Sequence, residues 1–475
     1  MVVESSRRLG LLRRSPSFGL LFLATAGSSV GTYLAAIALT VDVYDRTQSG
    51  LWVAALLIAD FLPIVLVGLL LGPLVDRLSR RRLMIVSDLS RFGVFAALPF
   101  VDSAAAIVGL AGVAGIATGF FRPAAYAGLP NLVPDDELTN ANSLLQTIEN
   151  AAWMVGPILG GLMVNAWSPA VPYAVNAVTF LVSATLVAGI AEKQLRSEEP
   201  LTSGHWRDVA DGVRLVLTSR PLRTVLIVWN VVILGAAAVN VAEVFFALDT
   251  LDAGDLGFGV IVGASGVGLV IGSYIAAPSL GKVGLRRHYV GSITAMGLGW
   301  GAAALSGSIW VAVPFVVAGA IGNGAAVICN QLLVQRGAPD RYRGRALATI
   351  MSTNYAVLGL AMVAAGVLIE VVGARAVWLG AAAIYLVGAV VALVLTRWLP
   401  VVSGEEDQVI DAHAEAAAAA LAPVAAFSPE PVRTAPEPNG PEPLLDGSAR
   451  SGLERIATLL EEIERRRELE ARRSS

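Results

Sequence analysis

Apolar residues run almost unbroken for about 20 positions at a time, give way to short polar clusters, and resume. A run of that length matches a helix crossing a hydrocarbon core roughly 30 Å thick. The pattern predicts spans at 17–41, 50–73, 83–101, 104–126, 139–165, 170–191, 222–246, 256–279, 289–306, 309–332, 346–370 and 374–398. Polar clusters at the ends set their limits. The first span is too long for a signal peptide and lacks a small-residue cleavage site, so it is expected to stay as a span.

The loops are charged unequally. One side carries Arg7, Arg8, Arg13 and Arg14, then Arg77 and Arg80 to Arg82. Lys193, Arg196, Arg207, Arg214 and Arg220 follow there, then Lys282, Arg286 and Arg287, and finally Arg336, Arg341, Arg343 and Arg345. The other side has Arg46 and Arg375. This bias predicts an inner (cytoplasmic) membrane protein with both termini cytoplasmic. Trp52, Trp167, Trp310 and Trp378 fall near predicted outer ends and Trp398 near an inner end, where an aromatic belt belongs.

The polar stretch 192–221 divides the spans six and six. Within it "WRDVADGVRLVLTSRPLR" places Val209, Val213, Val216 and Leu217 on one helical face among charges. This reads as an amphipathic helix on the membrane surface or between two halves, or as a polar connector. A shift of 205 residues, the spacing from Gly72 to Ala277, lays "GPLVDRLSRRR" on "APSLGKVGLRR". It also lays Pro134–Asp135 on Pro339–Asp340 and Gly161 on Gly366. The expected fold is an all-α membrane protein of twelve transmembrane helices in two pseudo-symmetric six-helix bundles, 1–191 and 222–398, in the same orientation. Beyond them lie an acidic, Ala- and Pro-rich linker at 399–450, expected to be disordered, and a C-terminal amphipathic helix at 451–475.

Composition agrees. The 475 residues are 55% hydrophobic and 15% charged, against about 25% charged in a soluble domain, and the mean hydropathy is +0.68. The 48 glycines suit close helix packing in lipid. The single cysteine, Cys329, excludes an internal disulfide and makes a thiolate metal site unlikely to form. The three histidines lie far apart outside the spans, and no Walker A loop, zinc pattern or nucleophile elbow occurs. No catalytic residue, metal or cofactor is therefore expected. With no ATP motif, what remains is an ion gradient or no coupling at all.

Ionisable groups inside spans are costly and usually face a cavity. Asp60 sits near the middle of the second span and suits reversible protonation; permanent pairing with an arginine is the competing role. Glu149, in the fifth span, falls on Asn354 under the 205 shift, with Trp153 one turn further on. An acid beside an aromatic suits a cationic or aromatic solute; a helix-packing hydrogen bond is the alternative. Asp88 and Arg91 can pair at i, i+3, and Arg122 joins them as a buried ion-pair candidate. Glu243 lies close to an outer end and is expected either to handle substrate or simply to reach water. Asn230 adds neutral polarity. "GPILGG" in the fifth span offers Gly156, Gly160 and Gly161 for close packing around a kink at Pro157.

Gly72, Asp76, Arg77, Arg80 and Arg81 resemble the signature between the second and third spans of the major facilitator superfamily, with Ser79 where a glycine is usual. "GPILGG" is similar to the fifth-span motif of its drug:proton antiporters, with Ala152 replacing an upstream glycine. "PNLVPDDELTNANSL" and "APDRYRGRALA" look like the branch of enterobactin-type siderophore exporters and macrolide or multidrug efflux proteins. The resemblance covers 17–398. It implies an alternating-access carrier in which Asp76 latches against the start of the eleventh span, around Arg345 to Leu347, with the neighbouring arginines supporting this gate. Ser79 implies a looser turn there.

The sequence thus predicts proton-coupled export of a small organic molecule, drug-like or siderophore-like, from a multi-pass protein in the lipid bilayer. It is expected to be monomeric, with no nucleic-acid partner and a tail able to dock on a partner or the membrane surface. A lipid translocator of the same fold and a non-transporting sensor or scaffold using its tail are the competing readings.

Overall fold

The computed structural model describes residues 10–75, 78–195, 205–338 and 340–399. The tail from 400 onward, and with it the linker and C-terminal helix read from sequence, lies outside them. The described residues form helices and connecting turns with no strand. In chain order the long helices are α1 (Pro16–Thr47), α2 (Gly50–Val75), α3 (Arg80–Ala97), α4 (Ala104–Gly128), α5 (Leu138–Ala166) and α6 (Ala170–Ala188). After the connector come α7 (His205–Thr218), α8 (Arg220–Phe245), α9 (Gly254–Val283), α10 (Leu285–Ala304), α11 (Ile309–Gly337) and α12 (Asp340–Leu395). The last is broken at Gly373, whose φ of 78° and ψ of 162° suit glycine alone, so 340–372 and 374–395 are two helices end to end.

Helices stand at every predicted span position. Among the described residues nine are long and apolar enough to cross a membrane. α5 and α10 are interrupted by polar residues and fall outside that group, and α12 counts once despite its break. The predicted limits fail most where charge enters a helix. The first span was expected to end at 41, before Asp42, yet α1 runs on to Thr47. Asp42 is buried and accepts hydrogen bonds from Arg46 Nε at 2.6 Å and the Tyr173 hydroxyl at 3.0 Å, so the helix continues through a satisfied charge.

Within the first half α1 packs on α5 and α6, α2 on α4, and α3 on α4 and α6. In the second α8 packs on α12, α9 on α11, and α10 on α11 and α12. Two seams join the halves: α5 against α9, and α2 against the first part of α12. Both bring glycine backbones together near the arginine-poor end. A Cβ at Gly161 would strike the Asp255 and Gly259 backbones, and one at Gly50 the Gly366 backbone. Small residues permit this approach where no apolar driving force exists between helices in lipid. Gly156 and Gly160 serve the packing of α5 on Tyr33 and Leu34 of α1. The motif 156–161 therefore works as a two-sided packing surface, facing α1 with one side and α9 with the other.

Two expectations need correcting. The connector helix α7 docks on α8 and α12, and its buried face is Gly212, Leu215 and Val216, while Val213 and Leu217 are exposed. The apolar stripe read from sequence was rotated, because Gly212 rather than a valine makes the closest approach, against the Arg345 backbone. Trp378 is not part of an interfacial belt. It is fully buried, stacked on Phe246 at 4.0 Å and edge-on to Trp300 at 5.3 Å. Trp52, Trp167 and Trp310 are exposed as expected.

Candidate functional site

Five of the ionisable residues singled out in the first half resolve into two clusters. In the first, Asp88 is fully buried between Arg91 Nη2 at 2.5 Å and the Ser183 hydroxyl at 2.7 Å. The Arg91 guanidinium lies between the Phe121 and Phe180 rings, 4.6 and 4.3 Å from their centroids. The pair draws on α3, α4 and α6 at once, so its role is to hold these helices together, although Arg91 Nε has no hydrogen-bond partner among the described residues. Arg122, the third ion-pair candidate, pairs elsewhere. Arg122 is half exposed and donates from Nη2 to Glu149 Oε2 at 2.7 Å, joining α4 to α5. Glu149, about nine-tenths buried, is thus an ion-paired acid in this state rather than a free one.

The second cluster gathers around Tyr33. Tyr33 of α1 lies within electrostatic reach of Arg122, Glu149 and Asp60, and Tyr126 lies beside the Arg122–Glu149 pair. The Asp60 side chain is exposed rather than walled in, because α2 turns it away from α4, whose Gly115 abuts its backbone. The next residue, Phe61, stacks on Tyr355 of α12 at 5.7 Å. Sequence reading missed both tyrosines and this stack; aromatic residues inside the predicted spans were the available signal.

The seams near the arginine-poor end are closed by polar bonds as well as glycines. The Tyr44 hydroxyl donates to Asp249 Oδ1, and the Ser49 hydroxyl donates to Glu370 Oε1 at 2.7 Å. Tyr44 and Asp249 are 205 residues apart, the repeat offset itself, so equivalent positions of the two halves meet. A π-helical turn at Phe246–Thr250 delivers Asp249 to this contact, an irregularity common at functional positions.

A cavity of about 210 Å³ lies within the second half, among α8 to α12. Glu243 lines it with Trp229, Trp300, Tyr385 and Asn323, and Trp153 of α5 is its one lining residue from the first half. Of the two roles expected for Glu243, reaching water at the helix end does not hold: it is only 7% exposed, in a helical segment that the π-helical turn carries on to Thr250. Trp153, read as a companion of Glu149, belongs to this cavity. Asn230 turns back on its own helix, donating Nδ2 to the Leu226 carbonyl at 2.7 Å. Asn354 is buried in α12 away from the lining.

Of the expected gate residues, Asp76 and Arg77 lie outside the described residues, and Gly72 falls within α2. Arg80 begins α3, and Arg81 donates from Nη2 to the Ala188 carbonyl, tying this end of α3 to α6. The turn itself runs through residues outside those described, but Ser79 is among the described ones. Its φ of −61° and ψ of 115° suit any residue, and its side chain caps α3 by accepting from the Arg82 amide at 3.4 Å.

The profile of the Major Facilitator Superfamily matches residues 17–355 and 234–439. The chain belongs to this superfamily. It is a multi-pass membrane transporter, not an enzyme. Its relatives include the multidrug efflux pump Tap of Mycolicibacterium fortuitum, 26% identical over 81% of this chain and 97% of the relative. Macrolide efflux protein A of Streptococcus pyogenes is 23% identical over 57% of this chain and 68% of the relative. Among solved structures, a bacterial homologue of the iron transporter ferroportin in an inward-facing state superposes with a TM-score of 0.65 at 16% identity, covering 80% of this chain and 99% of that one. The nucleoside transporter NupG superposes with a TM-score of 0.65 at 15% identity, over 80% and 99%. Such distant likenesses speak for the fold of a major facilitator and for nothing narrower.

Proposed function

We propose that this major facilitator exports small organic molecules from the cytoplasm by proton-coupled alternating access. The observation that supports the reading is that Asp60, Arg122 and Glu149 gather around Tyr33 in a first half whose arginine-poor end is hydrogen-bonded to that of the second. Positive charge keeps the arginine-rich end on the cytoplasmic side. The pinned end then faces outward, and the groups between the halves are reached from the cytoplasm. Efflux relatives of similar length favour outward transport of drug-like solutes. The sequence carries no ATP-binding motif, which is compatible with the proton gradient as the driving force in this reading.

Asp60 is the proton-handling acid in this scheme. Its side chain is exposed and makes no salt bridge among the described residues, whereas Glu149 is held by Arg122. Protonation of Asp60 neutralises a charge that is costly to enclose, which lets the halves close over it. The test is uptake of a solute panel into inside-out vesicles, energised by a proton gradient, for wild type and Asp60→Asn. Gradient-dependent accumulation by wild type and its loss in the variant support the scheme. Equal accumulation by both removes Asp60 from it.

A further inference from the structure

The cavity in the second half is built unlike the space between the halves. Its one carboxylate, Glu243, is more than nine-tenths buried, and Oε1 has no hydrogen-bond partner among the described residues. A buried acid left unpaired is unfavourable, and such a group in a native fold calls for an explanation. No lysine, arginine or histidine lines the cavity. What lines it instead is aromatic: the indoles of Trp153, Trp229 and Trp300 and the phenol of Tyr385. Ring faces attract cations through their quadrupoles, and several rings around one acid form the cage that receives quaternary ammonium groups.

We infer that this cavity is a headgroup subsite for organic monocations, with Glu243 as counter-charge and the aromatic side chains as the cage. Size limits what enters. A volume of about 210 Å³ is below the roughly 300–1,000 Å³ that encloses a drug-sized molecule. The cavity therefore takes the charged end of an amphiphile, and the remainder leaves past Trp153, the one lining residue from the first half, into the space between the halves. A zwitterionic lipid headgroup fits poorly, because its phosphate would meet Glu243 with no cation to balance it. Asp60 of the first half corresponds to Ser265 under the repeat, a neutral lining residue of this cavity. The two halves thus carry their exposed or unpaired acids at different places, one on α2 and one on α8. The inference rests on the reading of the chain as a carrier of small organic solutes.

The test is equilibrium binding to the purified full chain in nanodiscs, which needs neither a gradient nor transport. The probes are benzyltrimethylammonium and its uncharged isostere neopentylbenzene, with phosphocholine as competitor. Wild type is expected to bind the cation in preference to the isostere. Glu243→Gln is expected to weaken cation binding by about tenfold or more while leaving the isostere unchanged. Glu243→Asp keeps the charge and should retain most of the cation affinity, which separates loss of charge from loss of fold. Phosphocholine should not compete. Equal binding of cation and isostere by wild type, or undiminished cation binding by Glu243→Gln, overturns the inference, and competition by phosphocholine overturns its assignment to monocations. Failure here leaves solute accumulation in vesicles intact as a measurement, and failure of transport leaves this binding measurable.

Discussion

Buried charge in this protein takes three forms, distinguished by what surrounds it. Asp88 and Arg91 are hydrogen-bonded to each other, with the Arg91 guanidinium wedged between aromatic rings. Removing either partner strands the other, which costs about 3–5 kcal/mol, whereas replacing both by apolar residues is far milder. Asp88→Leu and Arg91→Met are each expected to lower the detergent melting temperature sharply, and the double variant to recover most of the loss. Equal melting of all four proteins would contradict a structural role. The Arg122–Glu149 pair is looser, since Arg122 is half exposed and within reach of the space between the halves. Glu243 leaves Oε1 without a hydrogen-bond partner among the described residues. The sequence announced these residues as charges inside apolar runs, and i, i+3 spacing identified the first pair. It did not reveal that Arg122 would choose Glu149, because that depends on how α4 and α5 lie together in space. Nor did it reveal that Asp42 belongs inside α1, where Arg46 and Tyr173 satisfy it.

At the scale of elements, glycine and the repeat decide how the halves meet. The offset found in sequence survives in the geometry, with Tyr44 bonded to Asp249 and the Gly161 and Gly366 positions each abutting the other half. Side chains at these seams overpack a close backbone contact, which costs about 1–3 kcal/mol. Such a cost confined to one conformation shifts a two-state equilibrium roughly 5- to 150-fold. Gly366→Val is expected to disfavour the sealed arrangement, slowing transport in vesicles while the protein still reaches the membrane in normal amount. Unchanged transport by this variant would show that the contact does not limit the cycle. Alternation of polar and apolar positions predicted that α7 is a helix but misplaced its buried face. The deciding contact is a glycine, which carries no hydrophobic signal. Trp378 was misplaced for a related reason: the break at Gly373 turns the last helix inward beneath Phe246.

For the whole molecule, the twelve helical positions and the six-plus-six echo were legible because lipid admits few alternatives to the helix. Legible too were the arginine-rich and arginine-poor ends. Which end is sealed was not, since a carrier of this fold presents the same sequence in every state of its cycle. Joining the arginine-poor ends covalently should therefore trap one state. In a Cys329→Ala background, Ser49→Cys with Glu370→Cys treated with a short bis-maleimide is expected to abolish transport, and either single cysteine to leave it intact. Transport by the cross-linked protein would contradict alternating opening at that end.

The central claim, gradient-driven export through Asp60, is tested most directly by accumulation of a drug-like solute in inside-out vesicles, with and without a proton uncoupler. The account predicts accumulation by wild type that collapses on uncoupling and is absent in Asp60→Asn at equal protein level. Accumulation that persists with the uncoupler, or that Asp60→Asn retains in full, would contradict it.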